Sequence, residues 1–341
     1  MQISTIGIDL AKNVFQVHGV DAAGKVVITK KVRRSQLRSL FEKLPPSLIG
    51  MEACATAHHW GRELEGLGHD VRLMPASYVK AYVKRGKNDA ADAAAICEAV
   101  TRPSMRFVPI KTVEQQAVLM LHRTRDLLVR QRTQLINAMR AHLAELGLVA
   151  AQGRDGLKHL ISIVTDQVSG LPDLARRALQ ALLSQLNALA QQIGEIERDI
   201  HAQHRLSEAS RRLETIPGIG VIGATAIAAT VSDPMVFKSG REFAAWIGLV
   251  PRQNSSGGKE RLGSISKQGD RYLRRLLIVG ATAVIRHARA HPEKQPWLMQ
   301  LLARRPAKVV AVALANKMAR IAWVVLARGE TYRAPALVVS V

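Results

Sequence analysis

Residues 3–32 read ISTIGIDLAKNVFQVHGVDAAGKVVITKKV, and their pattern predicts the first strands of a β-sheet. It contains three short β-rich runs, at 3–8, 14–20 and 26–32, and the DAAGK segment at 21–25 has the composition of a hairpin turn. These runs predict three antiparallel strands in a meander. Downstream, the hydrophobic periodicity predicts strands at 48–51 and 71–74, and helices near 35–43, 57–67, 76–84 and 89–100.

The resulting order, βββαβαβαα, is the order of the ribonuclease H-like fold, in which helical crossovers lead to the later strands of a mixed sheet. Beyond residue 105 the patterns are mostly helical, so the chain is expected to be α/β plus all-α. The expected domains are an α/β domain at 1–105, a helical assembly region at 106–207 and a mostly helical domain at 208–341.

The charge of the chain favours a polyanionic partner. Its 341 residues include 49 Lys and Arg against 27 Asp and Glu, a net charge of +22, and residues 207–341 alone hold 21 against 8, or +13. Lys and Arg neutralise phosphates and release counterions, so this excess predicts nucleic-acid binding, mainly by the C-terminal part. The alternatives are a solvated basic surface or an anionic membrane, but no hydrophobic segment has the pattern of a basic amphipathic membrane helix.

The apolar stretches 221–231 and 276–285 are too short to span a bilayer, and the N-terminus lacks the features of a secretory signal. We therefore expect a cytoplasmic protein with no membrane segment. Cys54 and Cys97 are the two cysteines, too few for a disulfide framework or a structural zinc site, and both are expected to be buried.

A long helix is predicted from 113 to 147 and a second from 173 to 206. In the second, apolar residues alternate at steps of three and four, which is a heptad seam: Leu179, Leu182, Leu186, Leu189, Ile193, Ile196 and Ile200. This pattern predicts coiled-coil pairing. The partner is either a second copy of the chain, giving a homodimer, or the first long helix in an intramolecular hairpin.

The segment 213–220 ends in IPGIG and precedes a helix of small residues, which is typical of a helix-hairpin-helix motif. Gly218 and Gly220 would let the backbone approach a DNA phosphate without reading sequence. The alternative is an ordinary glycine-rich helix cap. A turn-rich stretch at 248–269 then leads into basic helices. The remaining candidate nucleic-acid ligands are Arg252, Lys259, Arg261, Lys267, Arg271, Arg274 and Arg275.

Four acidic residues form the candidate catalytic centre. Asp9 ends the first strand and Glu52 follows the fourth, while Asp89 and Asp92 lie three apart near the start of a helix. If the strands are neighbours, these carboxylates converge. Such a cluster repels itself and is stable at neutral pH chiefly around hard cations, so Mg²⁺ or Mn²⁺ is the expected cofactor. Singly, each acid also fits a turn or cap role.

The motifs GIDLAK (7–12), GMEA (50–53), KNDAADA (87–93), IPGIG (216–220) and PRQNSSGGK (251–259) resemble those of the DEDD insertion-sequence transposases, the bridge-RNA-guided recombinases. The resemblance spans nearly the whole chain. It implies a RuvC-like domain with a DEDD tetrad, an assembly coiled coil and a C-terminal domain with a nucleophilic serine. It also implies double-stranded DNA at element ends and target, a structured guide RNA, and a tetramer.

In that family the serine precedes a glycine shortly after a Pro-Arg pair, which matches Ser256, with Ser255 as the alternate one position earlier. The resemblance implies a covalent serine–DNA intermediate and a composite site. Two other functions remain open: a metal-dependent junction endonuclease that uses water and the same four acids, and a non-catalytic DNA-binding protein.

Overall fold

A computed structural model describes residues 2–83 and 88–334 of the chain. The chain divides into two compact units, residues 1–116 and 117–341, and the division falls within a long helix. Each unit is described by itself below. The expected three-domain division remains a prediction, and residue 84, the expected end of one helix, lies outside the described residues.

The N-terminal unit contains a five-stranded mixed sheet. Its strands are β1 (Thr5–Asp9), β2 (Val14–Val20), β3 (Val26–Arg33), β4 (Leu48–Glu52) and β5 (Asp70–Met74), and its helices are α1 (Leu37–Phe41), α2 (Ala57–Glu65), α3 (Ala76–Val79) and α4 (Asp89–Val100). The strand order is β3-β2-β1-β4-β5. Strands β1, β2 and β3 pair antiparallel, whereas β4 pairs parallel to β1 and to β5. The predicted α/β sheet is confirmed.

Helices cover both faces of this sheet. Ile6, Ile8 and Met51 pack with Trp60 of α2 on one face. On the other face α4 lies directly against the strands, because Gly7 and its partner Gly50 carry no side chain there. A Cβ on Gly7 would lie 2.2 Å from the backbone oxygen of Ala93. The two glycines therefore set how closely α4 approaches the sheet.

The C-terminal unit is mostly helical, as expected. The helices are α5 (Val113–Ala144), which begins in the first unit, α6 (Arg154–Thr165), α7 (Asp173–Leu206), α8 (Glu208–Glu214), α9 (Val221–Thr230), α10 (Gly240–Ile247), α11 (Arg271–Ala290), α12 (Pro296–Arg304) and α13 (Ala307–Arg328). Strands β6 (Pro251–Gln253) and β7 (Leu262–Ile265) form a hairpin between α10 and α11. Helices α8 to α13 enclose one large apolar core.

The heptad seam of α7 is largely buried within the chain itself. Leu179 and Leu186 are buried in a cluster with Met139 of α5 and Leu160 of α6. Leu182 and Ile196 are half-buried. The seam therefore packs on other helices of the same chain, as in the intramolecular alternative, and a dimer does not follow from it.

One helix of the C-terminal unit is long and apolar enough to be compared with a membrane span. Helix α13 has the length and composition of a membrane span, yet it packs on α10 and α11 and buries Val310, Leu314 and Met318 in the helical core. Burial of this kind is typical of a core helix in a folded domain.

Cys97 is buried as expected, but the expectation for Cys54 was wrong, because the chain leaves the sheet after β4 and exposes it.

Candidate active site

The sheet places two acidic residues side by side at one edge. Asp9 is the last residue of β1 and Glu52 is the last residue of β4. These strands run parallel, with Ile8 opposite Met51, so both carboxylates follow strands that end at the same edge. Each side chain is half-buried. Asp9 and Glu52 therefore occupy neighbouring positions in the sheet, as the sequence predicted.

Helix α4 brings the other two acids to this edge. Asn88 caps the helix, and its side chain accepts a hydrogen bond of 2.8 Å from the Ala91 N–H. Asp89 and Asp92 therefore lie in the first turn, where carboxylates also interact favourably with the helix dipole. Asp89 is exposed and Asp92 is half-buried. We call Asp9, Glu52, Asp89 and Asp92 the carboxylate edge.

The four charges influence one another. Burial raises the pKa of Asp9, and the charges of Asp92 and Asp89 raise it further. Burial likewise raises the pKa of Glu52, with added repulsion from Asp9 and Asp92. Because both pKa values are raised, full ionisation of the carboxylate edge costs free energy. Nearby positive charge would relieve this cost.

The donor set suits a hard cation, because Mg²⁺ and Mn²⁺ prefer carboxylate oxygens. In the part of the chain that the structure describes, however, no three His, Cys, Asp or Glu side chains lie close enough together to hold one ion. Repulsion among the carboxylates opposes closer approach. The chemistry of the carboxylate edge therefore fits a divalent cation, while its side chains would have to draw together to bind one.

The candidate serines lie at the end of the β6–β7 hairpin, which we call the serine hairpin. Ser256 and Lys259 form an isolated bridge, and the Lys259 N–H donates to the Ser256 carbonyl at 3.1 Å. Gly257 and Gly258 between them have φ of 55° and 76°. Two consecutive positive φ values are typical of a type I′ hairpin turn. The Gly-Gly pair was thus a signal for a hairpin within the stretch interpreted only as turn-rich.

The two serines differ in their hydrogen bonds. The Ser255 hydroxyl accepts a bond of 3.1 Å from the Arg261 N–H, which holds the two sides of the hairpin together. Among the described residues, no partner is found for the Ser256 hydroxyl, and this residue is exposed at the tip. Ser256 therefore presents the more accessible hydroxyl.

The predicted nucleic-acid ligands of this region fall into two groups. Arg252, Lys259, Arg261, Lys267, Arg271 and Arg275 are exposed. Arg275 pairs with Asp126 of α5. Arg274, in contrast, is buried, and its guanidinium donates bonds of 2.7 Å to the carbonyls of Ile247 and Gln268. We conclude that Arg274 holds the base of the hairpin against α10, so its burial argues against the predicted phosphate contact.

The glycines of the IPGIG turn also differ. Helices α8 and α9 pack on each other across this turn. Gly218 has φ of 90° and packs against α11, where a Cβ on Gly280 would lie 1.9 Å from the Gly218 carbonyl oxygen. Gly220 is exposed at the start of α9 with open space around it. Gly218 thus has a packing role of its own, and Gly220 is the more accessible of the two.

One buried polar network was not predicted from the sequence. His122 of α5 is 1% exposed and lies 3.0 Å from both the Tyr272 hydroxyl and the Thr225 hydroxyl. Burial and then the charge of Arg125 lower the pKa of His122 to about 4, so the imidazole is neutral at pH 7. The network ties the start of α11 to α5. A single His in a helical pattern gives no signal for such a role.

Comparison with known proteins identifies two regions of the chain that match family models. A family model described as "Transposase" matches residues 6–147, and one described as "Transposase IS116/IS110/IS902 family" matches residues 210–296. A probable family 20 transposase of Pseudomonas aeruginosa is 52% identical, over 98% of this chain and 99% of that protein.

Two insertion-sequence proteins are also similar over almost their whole length. The transposase for insertion sequence element IS1111A of Coxiella burnetii is 44% identical, over 97% of this chain and 92% of its own. The transposase for IS1328 of Yersinia enterocolitica is 42% identical, over 97% and 98%. The chain is a DNA transposase. It belongs to the IS110/IS116/IS902 family of DEDD transposases.

Proposed function

We propose that the protein cleaves and rejoins DNA with a carboxylate-bound divalent metal and the hydroxyl of Ser256. The observation that carries the proposal is the carboxylate edge, where two parallel strands and one helix bring together four acids with no basic partner among the ion pairs of the described residues. Folded proteins rarely keep such charges together unless they serve a function.

Asp9, Glu52, Asp89 and Asp92 would hold Mg²⁺ or Mn²⁺. When bound, these ions polarise a phosphodiester and stabilise the charge that develops on its oxygens. The raised pKa values of Asp9 and Glu52 support this role, since the energy lost in crowding the carboxylates is recovered when a cation binds.

The Ser256 oxygen attacks the scissile phosphorus, its proton passes to a general base, and the bond from phosphorus to the leaving sugar oxygen breaks. The product is a phosphodiester between Ser256 and one DNA end. Attack by another DNA hydroxyl restores the serine and joins the strands, with no net loss of phosphodiester bonds. Ser256 is preferred to Ser255 as the nucleophile because its side chain is exposed and, among the described residues, its hydroxyl has no hydrogen-bond partner, whereas the Ser255 hydroxyl accepts a bond from Arg261.

Exposed cations near the tip, including Arg252, Lys259 and Arg261, would neutralise the phosphates that flank the cleaved bond. A structured RNA guides the choice of DNA sites, and the protein acts as a homodimer or tetramer. The RNA and oligomer parts of the proposal are supported by the motif resemblance and, for RNA, by the basic C-terminal charge.

The test uses purified full-length protein, Mg²⁺, labelled DNA with the element ends, and the RNA encoded beside the gene. After denaturation, labelled DNA that migrates with the protein reports a covalent adduct. We expect an adduct with the natural protein and with the matched control Ser255→Ala, and none with Ser256→Ala. An arm without RNA tests guidance.

Cleaved DNA without any adduct would instead indicate the second candidate, a junction endonuclease that uses water. One observation favours this alternative. The carboxylate edge lies wholly within the N-terminal unit, whereas Ser256 lies in the C-terminal unit, and cleavage by water would need only the first. Binding without any cleavage, in protein whose fold is intact, would favour a non-catalytic role.

A further inference from the structure

A basic groove with two aromatic side chains lies on the C-terminal unit and is lined by residues outside the serine hairpin. It has a volume of about 860 Å³ and is bounded by the start of α10, the outer face of α13, Trp297 of α12 and the segment 330–333. Apart from the residues of α10, its walls lie beyond residue 296, where the second family match ends. We call it the basic groove.

Positive charge dominates the walls of the basic groove. Arg241, Lys317, Arg320 and Arg333 line it and are all exposed, against the single acid Glu330. Among the ion pairs of the described residues, none involves these four cations. Like charges close together raise the electrostatic energy of a surface unless an anionic ligand neutralises them. The groove therefore favours a ligand with several negative charges.

The aromatic residues narrow the chemistry of that ligand. Trp297 is 43% exposed, and Tyr332 lines the same groove half-buried. The Lys317 ammonium lies over the Trp297 ring, 4.3 Å from its centre, so it covers part of one ring face and the exposed remainder of the ring lies directly beside a cation. A ligand that carries both flat rings and phosphates would contact both. Nucleic acid has this combination.

Single strands fit this arrangement better than duplex. In a duplex the faces of the bases are stacked on one another, whereas unpaired bases can stack on aromatic side chains. A volume of about 860 Å³ is also within the range of pockets that enclose a nucleotide-sized ligand. We infer that the basic groove binds an unpaired segment of nucleic acid, with a base on Trp297 and its neighbouring phosphates on Lys317, Arg320 and Arg241.

The inference does not depend on cleavage by Ser256, and binding without Mg²⁺ tests it separately. Labelled single-stranded 20-mers of one mixed sequence, as RNA and as DNA, and the corresponding DNA duplex are titrated with full-length protein, and fluorescence anisotropy is measured at several salt concentrations. The RNA and DNA arms show which source of unpaired strand the groove accepts.

Trp297→Ala should weaken binding of the single strand about tenfold, because a base loses its stacking surface, and Trp297→Phe should restore most of the affinity. The double variant Lys317→Gln and Arg320→Gln removes two phosphate contacts. It should reduce the slope of log K against log salt by about 1.4.

The matched control neutralises Lys308 and Arg328, two exposed cations of the same helix outside the groove, with the same change to Gln. The control should keep the natural slope. Circular dichroism and the melting temperature verify that each variant folds. If both groove variants bind single strands like the control, or weaken only duplex binding, the inference is wrong. Loss of the serine adduct alone would leave it standing.

Discussion

The carboxylate edge and the serine hairpin are built in opposite ways. At the carboxylate edge, Asp9, Glu52 and Asp92 are half-buried and lie on elements whose positions are set by strand register and helix packing. In the serine hairpin, residues 251–264 are all exposed, and order comes from the base, where buried Arg274 bonds two carbonyls. The carboxylates are therefore held in place close to their reactive oxygens. The serine hairpin is held only at its base, away from the Ser256 hydroxyl.

The largest effect is expected from Asp9→Asn. Loss of one carboxylate should reduce DNA cleavage at least about 10³-fold, since metal stabilisation of phosphoryl transfer amounts to several kcal/mol. The same variant should melt at a higher temperature in EDTA, because it removes a charge whose pKa is raised by burial and by Asp92 and Asp89. Gel assays of cleavage and thermal unfolding measure the two changes.

Glu98→Gln, on the same helix α4 but in an exposed ion pair with Arg102, is the control and should change neither quantity much. An Asp9→Asn protein that cleaves normally would show that the carboxylate edge is not the catalytic centre.

Leu186→Ala should destabilise the C-terminal unit by about 3 kcal/mol, since it leaves a cavity among buried side chains of the same chain. Leu182→Ala, at a half-buried position of the same seam, should cost less. Urea unfolding measures both variants, and light scattering measures their molar masses. A fall in molar mass with unchanged stability in Leu186→Ala would mean that the seam joins two chains.

Mild acid should destabilise the C-terminal unit more than the N-terminal unit. The pKa of His122 falls from about 6.5 to about 4 on folding, so its unfolded form binds a proton first and acid destabilises the C-terminal unit, by at most about 3 kcal/mol near pH 4. The pKa values of Asp9 and Glu52 rise on folding, so their folded forms bind protons first. Without metal, protonation of these two carboxyls therefore stabilises the N-terminal unit in acid, and this gain is lost as pH rises through the raised values. It opposes the effect of His18 in the same unit, whose pKa is lowered by burial.

Hydrogen exchange at pH 7 and pH 5 in EDTA, corrected for intrinsic rates, measures both units in one sample. His122→Gln should remove part of the acid sensitivity of α5 and α9, whereas His142→Gln, exposed on the same helix α5, should not. Equal pH responses in the two units would contradict the assigned causes.

The smallest effects are expected from substitutions of Arg274 and Arg271, which should change different properties of the protein. Arg274→Gln should cost about 1–3 kcal/mol of stability, because the buried Ile247 carbonyl and the partly buried Gln268 carbonyl lose their donor. Arg271→Gln, exposed at the start of α11, should leave stability unchanged but lower the salt dependence of DNA binding by about 0.9. If both variants change only DNA binding, Arg274 contacts DNA after all.

Much of the N-terminal unit could be predicted from sequence because strand signals are local. Three short runs and one turn fix the meander, and the parallel neighbour of β1 then follows from the helical crossover before β4. The position of Asp9 next to Glu52 is a consequence of that order. The degree to which the carboxylates converge was not predictable, because it depends on side-chain charge and on burial.

The C-terminal unit was harder to predict because its decisive contacts are between residues far apart in sequence. The heptad pattern of α7 is correct, but periodicity cannot say whether α5, α6 or another chain covers Leu186. Arg274 and Arg275 are adjacent in sequence, and only packing makes one buried and the other exposed. Residue type alone predicted the same role for both.

Gly7 and Gly50 have a consequence for how such proteins fail. Both lie under α4, and alanine at residue 7 would place its methyl carbon 2.2 Å from the Ala93 carbonyl oxygen. The helix would have to move outward and carry Asp89 and Asp92 away from Asp9 and Glu52. A gene copy with all four acids and its serine intact would then encode an inert protein. Surveys that judge whether a mobile element is alive only from its reactive residues would count such a copy as active.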